Sequence, residues 1–439
     1  MKEQMPTANK EWQPVLTGAD AETVLAVVGD IAKALHNPPA TWIPMETTAV
    51  EPYRISRGAS LAVGSAGLAL FFAYLSQIPG VSRTFAEEAE HFISHALDAL
   101  EAVSMTGGLF RGLSGIAWTV QHLQGFLFED ESADPETDPN ADIDQILLDH
   151  WSKPEKFDLW GGCAGLGVYA LERYPRPGSK LLLEILIQRL DELSSKTGVG
   201  IAWFTPPKMM RPKTRMSFPD GYYDLGVAHG AAGIISFLSR VYALGISKEL
   251  TGKLLDGAVS WMLAQQMKSE AGPGPLFPEY VLPTDVIRRL TGGWCHGDIG
   301  MAAALLSAAQ CTGETSWAAK AVETAHAAVD YYNPNWQPDT TLCHGTAGLG
   351  HLFNRIYQAT GENRFREEAR KWFGRTLELR QPGIGIAGFF RHSPNEEGEI
   401  AEQFDPGFIQ GAAGIGLALL SGATAVEPRW DRVMLLSST

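Results

Sequence analysis

Residues 230–242 read GAAGIISFLSRVY. Two glycines three positions apart lead into Ile234, Ile235, Phe237, Leu238 and Val241, apolar positions at helical intervals that cover a wide face. The glycines start that helix in a crowded place, where backbone must approach backbone and a Cβ would be in the way. The same pattern returns as GSAGLALFFAYL from Gly64, GLSGIAWTVQHL from Gly112, GCAGLGVYALERY from Gly162, GDIGMAAALLSAA from Gly297, GTAGLGHLFNRIY from Gly345 and GAAGIGLALLS from Gly411. Seven copies, about 48 to about 68 residues apart, form a long-period repeat.

Between the copies lie amphipathic stretches with one charged face. Examples are FAEEAEHFISHALDALEAV after the first, SKLLLEILIQRLDELSS after the third and AAKAVETAHAAVDYY after the fifth. Each repeat is then an inner helix of small and apolar residues paired with an outer amphipathic one. Seven such hairpins predict an all-α chain closed into an α/α toroid, or barrel. A linear solenoid would favour more uniform repeats than these. Residues 1–439 are expected to form a single domain, with 1–50 as an N-terminal extension packing on it or leading into it. The long Pro- and Gly-bearing linkers at 196–228, 266–294 and 378–409 all enter inner helices, so they belong on the face of the inner-helix N-termini. The acidic run EDESADPETDPNADID (129–144) follows an inner helix instead, and is expected to be a solvated segment of the opposite face.

Composition excludes several functions. With 45% apolar residues and 19% charged, the 439-residue chain can bury a large core. A net charge of -15 excludes tracking of a nucleic-acid backbone, which needs a basic stripe. Four cysteines are too few for a disulfide scaffold of this length. The polar start MKEQMPTANKEWQP carries no secretory signal, and no apolar run reaches spanning length. These features predict a protein of a reducing cytosol.

Two cysteines occupy matching places. Trp294-Cys295-His296-Gly297 opens the fifth motif and Leu342-Cys343-His344-Gly345 the sixth. Consecutive inner helices of a toroid lie side by side, so the two triplets should meet at one end. Two thiols and an imidazole suit zinc, and a catalytic zinc keeps one position open. The triplets alone do not decide between His296 and His344. His229, directly before Gly230, stands at the same position of the fourth repeat, and Asp158 lies just ahead of Gly162 in the third. Cys163 and Cys311 fall elsewhere in their repeats and are expected to be structural, as is His351 in the core.

With FDLWGG, AHGAAG, GGWCHGDIG and LCHGTAGLG in that order, the chain resembles the lanthionine synthetase C-like family from about Tyr53 to about Leu420. That resemblance implies an α/α toroid with one zinc, ligated by Cys295, Cys343 and His344. His229 and Asp158 match the family's acid/base positions. His296 follows the first cysteine at a position where members differ, and is carried as a third catalytic candidate. The implied reaction is addition of peptide cysteine thiols to dehydroalanine or dehydrobutyrine. The implied partner is a dehydrated lanthipeptide precursor, leader plus core, with the cognate dehydratase and transporter as further partners in a complex at the membrane. No dehydratase region precedes the repeats, so a stand-alone cyclase is expected. The basic stretch Lys208, Arg211, Lys213, Arg215 is a candidate contact for an acidic leader, or a solvated loop. The alternative is a zinc protein of the same family that binds a small thiol such as glutathione, or a scaffold. A barrel glycosidase needs two opposed carboxylates, and only Asp158 is suitably placed.

Overall fold

The structure is a computed structural model that describes residues 11–43, 52–80, 84–128, 138–267, 273–287, 292–336, 339–394 and 400–437. Most of the acidic run, 129–137, lies outside the described residues. In chain order the helices are α1 (Ala19–Leu35), α2 (Pro52–Ala59), α3 (Ser65–Ser76), α4 (Thr84–Ala102), α5 (Leu113–Leu123), α6 (Ala141–Ile146), α7 (Cys163–Arg173), α8 (Pro177–Leu193), α9 (Pro212–Ser217), α10 (Ala231–Ala243), α11 (Lys248–Ala264), α12 (Asp298–Thr312), α13 (Thr315–Tyr331), α14 (Thr346–Thr360), α15 (Asn363–Glu378) and α16 (Ala412–Ala423). All seven glycine motifs open a helix: α3, α5, α7, α10, α12, α14 and α16. These inner helices are buried nearly all round. In α16 every residue from Ala412 to Gly422 is buried, whereas α15 buries only Phe365, Glu368, Ala369, Trp372, Phe373 and Thr376. A helix apolar on all sides must be covered on all sides, and a striped one only along its stripe. Each fully buried Leu or Phe contributes about 1.5–3 kcal/mol, so most of the core's stabilisation lies on the inner helices.

The contacts gather into two compact units. The first comprises Met1–Gln145 and Gln337–Trp430. There α14 packs on α16, α16 on α3 and α3 on α5. A ladder of backbone hydrogen bonds joins the turns ahead of these helices. Cys343 N–H donates to Ile409 O at 3.0 Å, Ile409 N–H to Ala62 O at 3.0 Å, and Ala62 N–H to Phe110 O at 2.8 Å. All four residues stand two before a motif glycine. Outer helices α4 and α15 follow their inner partners, but among the described residues no long helix follows α16. Its outer partner is α1, from the N-terminal extension. Val15 and Leu16 N–H both bond Gly422 O, and the Trp12 indole bonds Ser421 O, fixing that extension to α16. His351 fills the core, against Ser421 Oγ at 2.8 Å and stacked on Trp430.

The second unit comprises Ile146–Trp336 and Asp431–Thr439. Inner helices α7, α10 and α12 pack in that order, each with its outer helix α8, α11 or α13. The C-terminal segment is pinned here by the Trp294 indole, which donates to Met434 O at 2.8 Å. The linkers carry short strands that periodicity did not reveal: β1 (Ser195–Thr197), β2 (Gly200–Ala202), β3 (Phe204–Thr205), β4 (Tyr222–Asp224), β5 (Tyr280–Val281) and β6 (Val286–Ile287), with β7 (Arg391–Pro394) and β8 (Ile400–Gln403) in the first unit. β3 to β6 form one antiparallel sheet, in which Asp224 faces Tyr280. Among the described residues no helix is long and apolar enough to cross a membrane.

The motif glycines stand, as expected, where backbone approaches backbone. Their closest neighbour is the chain's own entering turn, not the next helix. A Cβ on Gly233 would come 2.0 Å from Val227 O, and one on Gly348 2.0 Å from Leu342 O. In both, the carbonyl six residues earlier folds back over the second glycine, so the motif closes the turn that presents the site residues.

Candidate active site

Each inner helix is entered through a turn that runs over its first residues. In three repeats an aspartate stands six residues before the first glycine: Asp224, Asp339 and Asp405. Each uses Oδ1 to accept the N–H two residues on, from Gly226 at 2.7 Å, Thr341 at 2.7 Å and Gly407 at 2.8 Å. Such side-chain-to-backbone bonds are what short polar residues contribute to turns. Sequence reading missed these aspartates, although their spacing to the glycine was visible.

Asp158 serves the third repeat from a nearer position. Its Oδ1 accepts Gly161 N–H at 3.2 Å and its Oδ2 lies 2.7 Å from His229 Nδ1. The two sequence-predicted residues are therefore partners, although 71 positions apart. The carboxylate accepts from Nδ1, which leaves Nε2 as the ring nitrogen that Asp158 does not engage. The His229 side chain is 44% exposed and Asp158 13%, so the imidazole is the accessible member. Burial opposes the imidazolium, but the hydrogen bond and charge of Asp158 outweigh it and raise the His229 pKa above its ordinary 6.5. Trp160 lines its other side, 5.8 Å between ring centroids.

His296 is placed differently. Its Nε2 lies 3.2 Å from Asp224 Oδ2 and its Nδ1 3.5 Å from Glu279 Oε1, and both carboxylates are buried. Tyr280 packs on the ring at 5.3 Å. Burial disfavours its charge, but Asp224 and then Cys295 outweigh that and raise the pKa well above the usual histidine value. Both nitrogens thus face carboxylates, which makes His296 a cationic clamp between the Cys295 turn and strands β4 and β5. Asp298, the first residue of α12, holds the same linker by accepting N–H from Leu276 and Phe277, and burial pushes its pKa up to about 7. Substituting His296 by alanine removes the cation that lies between Asp224 and Glu279. We expect a loss of about 3–5 kcal/mol, read from the urea midpoint of unfolding, with His296→Lys retaining part of it.

Cys295 sits half-buried in the turn before α12, and Cys343 and His344 in the turn before α14, with Cys343 buried. The ligating atoms of these three residues lie within 4.8 Å of one another, the group of this kind found among the described residues. His344 Nε2 also lies 3.2 Å from Asp339 Oδ2. Cys163 and Cys311 are apart from this group. Burial pushes the Cys163 thiol up to about 12 and raises Cys311 as well, so both remain protonated and inert.

The family model for the lanthionine synthetase C-like protein matches residues 56–435. The chain belongs to this family. It is 21% identical over 404 residues to the nisin biosynthesis protein NisC of Lactococcus lactis subsp. lactis, covering 86% of this chain and 88% of that one. It superposes on the solved structure of a nisin cyclase with a TM-score of 0.70 at 16% identity, over 94% of this chain and 97% of the other. The fold of this lanthionine synthetase C-like chain is accordingly the α/α toroid expected from its seven motifs.

The donor set of the family member fits zinc. A tetrahedral ion with Zn–S of about 2.3 Å and Zn–N of about 2.0–2.1 Å spaces its donors roughly 3.5–3.8 Å apart. Two thiols and one imidazole within 4.8 Å reach that arrangement by small side-chain movements. Three protein donors would leave one position of such an ion open.

Proposed function

We propose that this chain is a zinc-dependent lanthionine cyclase acting on a dehydrated lanthipeptide precursor. The observation that carries the reading is the Cys295, Cys343 and His344 donor group, set on corresponding turns of consecutive repeats. A zinc ion bound there supplies positive charge that keeps a substrate sulfur in its thiolate form near neutral pH. The substrate cysteine loses its proton, its sulfur bonds the β-carbon of dehydroalanine or dehydrobutyrine, and the α-carbon gains a proton. No atom leaves the peptide.

His229 is the donor to the α-carbon. Asp158 holds its ring by Nδ1, so Nε2 carries the transferable proton, and the raised pKa keeps more of it as imidazolium. Asp158 orients and charges the imidazole without touching substrate. His296 clamps the Cys295 turn and transfers no proton. The amides at the start of α10, α12 and α14 add positive potential at that end of the inner helices. The seven motifs form one series, and we treat residues 1–439 as one functional domain. We place the protein in the reducing cytosol, where both ligand and substrate thiols stay reduced. The alkenes must be supplied by an enzyme that eliminates water from serine and threonine, and that dehydratase and a peptide exporter are the natural companions.

Ring closure leaves mass unchanged, so the test counts thiols. A dehydrated precursor incubated with zinc-loaded protein should lose its alkylatable cysteines and gain fragmentation-resistant segments. Persistent free thiols, with uptake of glutathione instead, would replace this function by small-thiol binding. Acid/base roles set the pH profile. An imidazolium donor is present below its pKa and lost as pH rises through it. The alkaline limb of the rate should therefore lie above pH 6.5, and Asp158→Asn should move it down.

A further inference from the structure

We propose that Asp339 is a positioning residue for His344: it accepts a hydrogen bond from the ring's Nε2–H and so assigns the metal to Nδ1. This rests on the zinc reading above. Asp339 is itself fixed at two points. Its Oδ1 accepts Thr341 N–H at 2.7 Å, and its carbonyl accepts Thr346 N–H, from the first residue of α14, at 2.8 Å. Its Oδ2 then lies 3.2 Å from His344 Nε2.

A neutral imidazole has one N–H and one lone pair, and an ionised carboxylate only accepts. With Nε2–H donated to Asp339, the lone pair is on Nδ1. A carboxylate on the far nitrogen fixes a ligand's tautomer and ring angle and raises its basicity. The second unit also pairs a turn aspartate with an imidazole, but with that of His296 in the next repeat, whose two nitrogens both face carboxylates. Asp224 Oδ1 holds Gly226 N–H at 2.7 Å while its Oδ2 lies 3.2 Å from His296 Nε2. The seventh repeat separates the two tasks. Asp405 holds Gly407 N–H at 2.8 Å, but the residue before its motif glycine is Gln410, not histidine. The aspartate thus makes the turn in three repeats and addresses an imidazole in two.

The deciding variant is Asp339→Asn. The asparagine carbonyl can still accept Thr341 N–H, so the turn persists. Its amide group, however, donates towards Nε2, which favours the opposite tautomer and leaves a proton on Nδ1. The zinc dissociation constant of full-length protein, measured by competition with a chelating dye, should rise about 10–100-fold, while circular dichroism and melting of the metal-free protein stay unchanged. His344→Ala is the comparison for complete loss of the ligand. In wild-type protein with nitrogen-15 histidine and zinc bound, His344 should show the proton on Nε2.

Tight zinc binding in the wild type that persists unweakened in Asp339→Asn overturns this inference alone. A zinc-loaded wild type with the His344 proton on Nδ1 does the same. A wild type that binds no zinc overturns the zinc reading and this inference together.

Discussion

Alanine in place of His229 should slow ring closure by about 10²–10⁴-fold and leave zinc content unchanged. The proton that ends on the α-carbon must come from a group whose donor nitrogen is accessible. His229 meets that requirement, with its side chain 44% exposed and its Nδ1 held by Asp158 at 2.7 Å. Metal content is insensitive because His229 is not among the three residues whose donors converge. Removing Asp158 acts through the same imidazole. Asp158→Asn in the His229→Ala background should cost little more, since residues that act as a unit are non-additive. Single-turnover thiol loss on a dehydrated peptide measures both. Equal rates in wild type and His229→Ala would remove this residue from the chemistry.

The second large effect is structural. Gly348→Ala should destabilise the protein by at least about 3 kcal/mol, or prevent folding. The added Cβ would come 2.0 Å from Leu342 O and 2.8 Å from Leu342 C, both backbone atoms that no rotamer change can move away. Leu342 directly precedes Cys343, whose N–H is tied to Ile409 O at 3.0 Å. Shifting that turn should therefore weaken zinc binding in whatever fraction still folds. Gly374→Ala provides the contrast. It lies within α15 and nothing stands within 4 Å of its added Cβ. Alanine there should be neutral or stabilise by about 0.4–1 kcal/mol. Chemical unfolding of the two variants side by side checks the pair.

The glycine motifs made the inner helices readable because one physical need, room for a folded-back turn, recurs seven times. Whereas the choice of His344 over His296 came from the family resemblance, the meeting of the two Cys-His triplets followed from their shared place in that repeat. The pairing of His229 with Asp158 did not, because it joins two turns 71 residues apart and a turn aspartate alone looks like a cap. Asp224 and Asp339 had a visible spacing to their glycines, but only the fold reveals what the second oxygen meets. Glu279 had no local signal, since a buried carboxylate is recognisable only beside its imidazole. The outer partner of α16 was hidden for a topological reason: it comes from the other end of the chain, as α1. The short strands escaped because two or three residues carry too little alternation to register.

Metal content tests the central claim most directly. Purified protein, replete with zinc and then dialysed, should hold about one zinc per chain, and Cys295→Ala and Cys343→Ala variants that retain their helical circular dichroism should hold none. Zinc absent from the wild type after repletion, or retained in both cysteine variants, would contradict the proposed site and leave the toroid without its cyclase chemistry.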